Sequence, residues 1–215
     1  MIKKVSIYGE RCSGTNYLQQ LIETNFVVTV TFEYGWKHFF GFNDLSKTND
    51  TLFIGIIRNP FDWINSLYRQ QHHLPQHFRD NIDNFLNSEF YSVKNDNSEF
   101  MSDRNIYTNK RYKNIFHMRY TKIKYLLEDM PDLVKHYIFI KYEDLLDDFS
   151  YTMNTIKNKG LSLKQDILFP TNITYDAINQ TIPFVKDNKQ NYISKEKIIE
   201  KLNIFYEKTI FNYDI

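Results

Sequence analysis

Two short segments gather the side chains best suited to hold phosphate. The first is Tyr8-Gly9-Glu10-Arg11-Cys12-Ser13-Gly14-Thr15-Asn16, a turn between a β-type run and a helix-type run. A helix start offers N–H groups without intrahelical partners and the positive end of a dipole, both of which attract anions. Gly9 and Gly14 have the spacing of the first half of a G-x-x-x-x-G-K-[ST] phosphate loop. Gly9 is expected to supply backbone angles that other residues resist, and Gly14 to let the chain approach a ligand. The second half of the motif is missing. Thr15 and Asn16 occupy the positions of the Lys and of the Mg²⁺-binding hydroxyl, and the nearest cation is Arg11. The anion cradle is present without the metal apparatus. The helix start and Arg11 also favour the thiolate of Cys12.

The second segment is Arg58-Asn59-Pro60-Phe61-Asp62-Trp63-Ile64-Asn65-Ser66-Leu67-Tyr68-Arg69. Arg58 directly follows the apolar run Leu52–Ile57, at the strand end where ligands bind in open α/β sheets. A P-loop NTPase would carry a Mg²⁺-binding Asp there. A guanidinium instead grips phosphate through two donors. Pro60 suits a first helical turn and Asn59 the cap before it, which puts Ser66 about two turns into the helix. Alone, Arg58 reads as a surface ion pair and Ser66 as a solvated helix position. In this order and spacing they read as a second anion site. Two anion sites on strands of one sheet suit a nucleotide with phosphate at both ends.

The elements that position these residues alternate. Strands are expected near 3–8, 26–32, 51–57 and 137–140, and helices near 14–24 and 61–71. A further helix ends near Asp129, stopped by Pro131. Helical segments follow around 145–157, and Pro170 and Pro183 bracket a loop-rich stretch. Ser194 caps a last helix with the stripe Ile198, Leu202 and Phe205. The β-α-β-α order implies parallel strands covered by helices. The expected fold is therefore α/β, with a central mainly parallel sheet flanked by helices. Residues 72–113 are polar with scattered aromatics (Phe78, Phe85, Phe90, Tyr91, Phe100), and read as an acceptor-side insertion or lid within one domain spanning 1–215, or as a surface excursion.

The two phosphate segments resemble those of PAPS-dependent sulfotransferases, where PAPS is 3′-phosphoadenosine-5′-phosphosulfate. Arg58 to Tyr68 matches the family's R-N-P-x-D-x-x-x-S-x-Y element in full, and Lys141-Tyr142-Glu143-Asp144-Leu145 resembles its Y-E-D/E-L segment. The resemblance implies a three-layer P-loop-like fold. Gly9, Arg11, Cys12, Ser13, Gly14, Thr15 and Asn16 would hold the 5′-phosphosulfate, and Arg58 and Ser66 the 3′-phosphate. Many members carry a Lys before S-G-T in the loop; here Cys12 stands there, and Arg11, one place earlier, is the candidate for that role. The implied reaction is metal-independent, in-line transfer of the sulfuryl group from PAPS to a hydroxyl or amine, releasing 3′-phosphoadenosine 5′-phosphate.

Sulfuryl transfer needs an acceptor made nucleophilic, and His is the usual base near neutral pH. Of six histidines, His38 has the best context. It lies in the loop Gly35-Trp36-Lys37-His38-Phe39-Phe40-Gly41, after the second strand-like run, and the family often carries its base in this region. His38 is the candidate base, and Lys37 the candidate electrostatic partner of the leaving phosphate. The bland reading of His38 is a buried, hydrogen-bonded loop histidine. His72, His73 and His77 lack a metal-site pattern such as H-E-x-x-H and read as solvated or acceptor-contacting side chains.

Composition narrows the partners. With 27 basic and 26 acidic residues and a net charge of +1, nothing supports bulk nucleic-acid binding. No apolar run reaches membrane-span length, and no signal segment is visible, so a cytoplasmic location is expected, in the host cytoplasm for a viral chain. One cysteine rules out an intramolecular disulfide, so the N-x-T triplets at Asn49, Asn172 and Asn179 read as chance. The expected partner is a small-molecule or saccharide acceptor, with Arg79, Arg104, Lys110, Arg111 and Lys113 either facing it or serving as surface charge. Two rivals stand beside the sulfotransferase reading. A nucleotide or nucleoside kinase would need Mg²⁺. A non-catalytic nucleotide-binding protein would bind donor without turnover.

Overall fold

A computed structural model describes residues 1–71, 73–165, 172–175, 180–183 and 191–215. Four strands, β1 (Lys4–Gly9), β2 (Thr29–Val30), β3 (Thr51–Ile57) and β4 (Tyr137–Lys141), form one sheet in the order β2-β1-β3-β4. Every pairing in it is parallel, so the sheet is that of an α/β protein. β3 sits centrally and is buried along its whole length, as expected of a run apolar at nearly every position.

The period of two along the strands divides the core into two layers. Val5, Ile7, Leu52, Ile54, Ile56, Ile138 and Ile140 pack against helix α1 (Thr15–Asn25) and the later helical segments. Tyr8 and Phe53 point the other way, onto Tyr125, Leu126 and Met130. Helix α2 (Pro60–Arg69) opens on Pro60, and the Asn59 side chain accepts from the Phe61 N–H at 3.0 Å, as the sequence predicts. The first two short helices of the insertion, α3 (Gln76–Asp80) and α4 (Ile82–Asn87), bring Phe78 and Phe85 together with Phe90 and Tyr112. All four are fully buried, in a core shared with Phe61, Trp63, Ile64 and Leu67 of α2.

Several elements differ from expectation. The second strand shrinks to Thr29–Val30, because Phe26 is spent on capping α1 and bridging Leu163. Helix α5 (Ile115–Lys124) does not stop at Pro131. It runs into a π-helical segment (Tyr125–Asp129) and then α6 (Met130–Leu133), with Pro131 in the first turn of α6, where its missing N–H costs nothing. After β4 come α7 (Asp144–Asp147) and α8 (Phe149–Lys157). The stretch between the two prolines contains an antiparallel pair, β5 (Asn172–Tyr175) and β6 (Gln180–Pro183); Pro170 and Asn179 lie outside the described residues. Ser194 does cap α9 (Lys195–Ile199). That helix ends before its stripe is complete, so Phe205 turns out to solvent and Tyr206 turns in. No helix among the described residues is long and apolar enough to cross a membrane.

Candidate functional site

β1 and β3 are adjacent and parallel, so the loop 9–14 and the Arg58 element leave the same edge of the sheet. The loop after β1 turns through Cys12 (φ 66°) and Gly14 (φ 94°), both left-handed. Gly9 is not in the left-handed region. Its requirement is space: a Cβ there would lie 2.6 Å from Ile56 O and 2.7 Å from Ser13 Oγ. Gly14 needs both angle and space, because the ring of Tyr142 lies against its Cα. Gly14 is also the cap of α1 and offers no side chain to it. Thr15, Asn16 and Tyr17, in the first turn, therefore keep N–H groups that no helical carbonyl can reach.

The two segments touch. Arg58 Nη1 donates to Cys12 O at 3.4 Å, and Trp63 Nε1 donates to Arg11 O at 3.0 Å. Ser66, buried on α2, lies near the Cys12 thiol. The guanidinium of Arg58 lies 4.9 Å from the centre of the Tyr142 ring. Burial pushes the Cys12 thiol above its ordinary pKa, and Ser66, Arg11 and Arg58 only offset this. The expected thiolate is corrected accordingly: a half-buried sulfur loses more solvation than its cations return.

The loop that carries His38 is tied to the same strand end. Gly9 N–H donates to Lys37 O at 2.9 Å, and His38 Nδ1 lies 2.9 Å from Gly9 O. A carbonyl only accepts, so Nδ1 carries the proton and Nε2 keeps its lone pair. Burial, with Lys37, Arg11 and Lys122 nearby, lowers the His38 pKa to about 3, and the imidazole is neutral at physiological pH. The Lys37 ammonium bonds Asn16 Oδ1 in the first turn of α1 and Gln19 Oε1 at 3.3 Å, and lies 5.1 Å from the Trp36 ring centre.

Arg11 departs from the simplest picture of a loop cation. Its side chain is buried and runs toward the insertion, where Nη2 donates to Ser92 Oγ at 2.7 Å. Ser92 passes the bond to Asp103, whose other oxygen accepts from Lys122 Nζ at 2.7 Å; Lys122 also donates to His38 O at 2.9 Å. Burial works against the Asp103 charge, but Lys122 and Arg11 outweigh it and hold the carboxyl below its usual range. Ser92, Asp103 and Lys122 escaped sequence reasoning. They are distant in sequence from Arg11 and carry no motif, so only the fold brings them together.

Glu10 and Arg119 form the other hidden contact, at 2.8 Å. Arg119 lies on α5, more than a hundred residues from Glu10 in sequence, so no local pattern marks the pair. Among the remaining sequence candidates, Arg104 and Arg111 share the carboxylate of Glu99, at 3.0 and 2.9 Å. His73 bonds Val93 O and His77 lies against Phe78; His72 lies outside the described residues.

Among the described residues, buried Arg11 Nη1 and Arg58 Nε have no hydrogen-bond partner, nor do Ser6 Oγ and Arg104 Nε elsewhere. An uncapped helix start and two unsatisfied guanidinium nitrogens, one in each phosphate segment, fit an anionic ligand with charge at two points.

No protein-family model and no curated protein sequence matches the chain. Among solved structures, mouse sulfotransferase SULT7A1 complexed with PAP is similar, with a TM-score of 0.41 and 15% sequence identity over 76% of this chain. The chain spans 61% of that protein's length.

Proposed function

We propose that this protein is a sulfotransferase that moves the sulfuryl group of PAPS to an acceptor hydroxyl without a metal ion. The observation that carries the reading is the double use of Gly9. Its N–H holds Lys37 and its carbonyl holds His38, so a base and a cation are anchored at the mouth of the phosphate loop. The N–H groups at the start of α1, together with Arg11, would hold the 5′ end of the donor. Arg58 and Ser66 would hold its 3′-phosphate. The donor supplies an activated sulfuryl group and leaves as 3′-phosphoadenosine 5′-phosphate.

The chain's own residues divide the remaining work. His38 Nε2 accepts the proton of the acceptor hydroxyl; its lone pair is available in the neutral imidazole, and the negative charge of the bound donor would have to raise its pKa from about 3 toward neutrality for efficient transfer. Lys37, bonded to Asn16 at the first turn of α1, offsets negative charge growing on the bridging oxygen. The position after Gly14 lacks the Lys of a P-loop kinase, and β3 is followed by Arg58 rather than a metal-binding Asp, so the kinase reading has no counterpart for its Mg²⁺ site in these two motifs.

The test is donor specificity. Calorimetry should find 3′-phosphoadenosine 5′-phosphate bound far more tightly than adenosine 5′-phosphate. Arg58→Ala should remove roughly 2 kcal/mol or more of that affinity, the scale of lost charge-assisted bonds. Equal affinities for the two nucleotides would overturn the reading, and turnover that requires Mg²⁺ would favour the kinase.

A further inference from the structure

Arg119 lies in the middle of α5, 1% exposed, with carboxylates from two distant segments on its guanidinium. Nη1 donates to Glu10 Oε2 at 2.8 Å, inside the first phosphate loop. Nη2 donates to the carbonyl of Arg58 at 2.9 Å, inside the second. Glu207, near the C-terminus, receives Nε at 2.6 Å and Nη2 at 3.0 Å. The guanidinium also stacks 4.7 Å from the centre of Trp63, whose indole N–H holds Arg11 O. One buried cation thus touches both phosphate elements at once.

A second tie runs from the same C-terminal segment. Tyr213 Oη donates to Glu143 Oε2 at 2.9 Å, and Glu143 Oε1 accepts the N–H of Asn59 at 2.8 Å. Two backbone groups of the Arg58 element, the carbonyl of residue 58 and the N–H of residue 59, are therefore both held by side chains that the C-terminal segment orients. Burying so much charge is a costly way to stabilise a core, and apolar replacements of buried ion pairs are often neutral or better. Its distinctive product is geometry. The guanidinium fork fixes the direction as well as the presence of each contact.

We infer that Arg119, oriented by Glu207, and Glu143, oriented by Tyr213, are positioning residues that set the distance between the two phosphate elements, and so select a nucleotide with phosphate at both ends. This rests on the donor reading proposed above. A ligand bound at two points gains from the second only if the spacing is right, whereas a ligand bound at one point does not sense the spacing. Loosening the ties therefore weakens the two-phosphate ligand and spares the one-phosphate ligand.

The experiment measures affinities for 3′-phosphoadenosine 5′-phosphate and adenosine 5′-phosphate on the wild type, Glu207→Gln and Tyr213→Phe, with melting temperature on each. Both variants should lower the preference for the doubly phosphorylated nucleotide by about ten-fold, the scale of a lost second-site advantage, while the affinity for adenosine 5′-phosphate stays at the wild-type value. If Glu207→Gln does not fold, Tyr213→Phe, which deletes one hydroxyl, decides alone. A folded variant that keeps the wild-type preference, or weakens both nucleotides equally, overturns the inference and leaves the donor reading standing. A wild type that shows no preference overturns the donor reading and this inference with it.

Discussion

His38 Nδ1 donates to the carbonyl of Gly9 at 2.9 Å, so the strand that ends in the phosphate loop also fixes the tautomer of the candidate base. The arrangement ties two loops at one residue. A shift of the loop would move the imidazole with it, and a charged imidazole would meet Lys37, Arg11 and Lys122. The neutral form is the one the site holds.

His38→Ala should lower kcat by roughly 10²–10⁴-fold, the usual worth of a general base, with little change in affinity for 3′-phosphoadenosine 5′-phosphate. Turnover, nucleotide affinity and melting temperature belong on one preparation. Near-normal turnover would remove His38 from the mechanism. A parallel fall in melting temperature and nucleotide affinity would mark it as structural. Its folded pKa near 3 lies below that of an unfolded His, so its contribution to stability is complete above about pH 6.5 and is lost as pH falls toward 3.

Glu10 should give the opposite slope. One guanidinium serves two carboxylates, and Glu207 takes the paired grip while Glu10 receives a single bond, with Oε1 unpartnered. Burial raises the Glu10 pKa to about 7; Arg119 and Lys122 pull it down, and Glu207 pushes it up. The folded state binds the proton more tightly than the unfolded chain, so this contribution is present below about pH 4.5 and is lost as pH rises through 7. Glu10→Gln should remove the loss. Its melting temperature relative to wild type should rise between pH 5 and pH 8, by the equivalent of roughly 1–3 kcal/mol. A pH-independent difference would show that Glu10 titrates alike in both states.

Gly14→Ala should be severe for two separate reasons. The φ of 94° is strained for an L side chain, and a Cβ would collide with the ring of Tyr142. A loss of about 2 kcal/mol or more is expected in denaturant unfolding, together with lost nucleotide binding. Gly14→Ala combined with Tyr142→Ala should recover only the collision. Full recovery would show that the backbone angle carries no cost.

Cys12 should label slowly at neutral pH, because burial raises its pKa. The rate should climb steeply with alkaline pH, and saturating 3′-phosphoadenosine 5′-phosphate should suppress it, since the sulfur lies between the loop and Ser66. Fast labelling at pH 7, or a rate indifferent to nucleotide, would contradict this placement.

The strands and the two strand-to-helix turns were legible in the sequence because their signals are local. β3 is apolar from Leu52 to Ile57, and Asn59-Pro60 caps a helix by short-range geometry alone. The order of elements then sufficed for a parallel sheet. Residue types also singled out His38 and Lys37, but not how they are held. That both hang on Gly9, and that the imidazole is neutral, depends on burial and on an interaction between residues 9 and 38, which no spacing rule encodes. The same holds for the thiol of Cys12, which reads as activated from its neighbours and is suppressed by its burial. Arg119 shows the limit most clearly. In sequence it carries no motif; in the folded chain it joins residues 10, 58 and 207. Local chemistry writes the strands, turns and caps, whereas charge pairing across the core depends on which segments the closed fold brings within a few ångströms, and only the tertiary structure decides that.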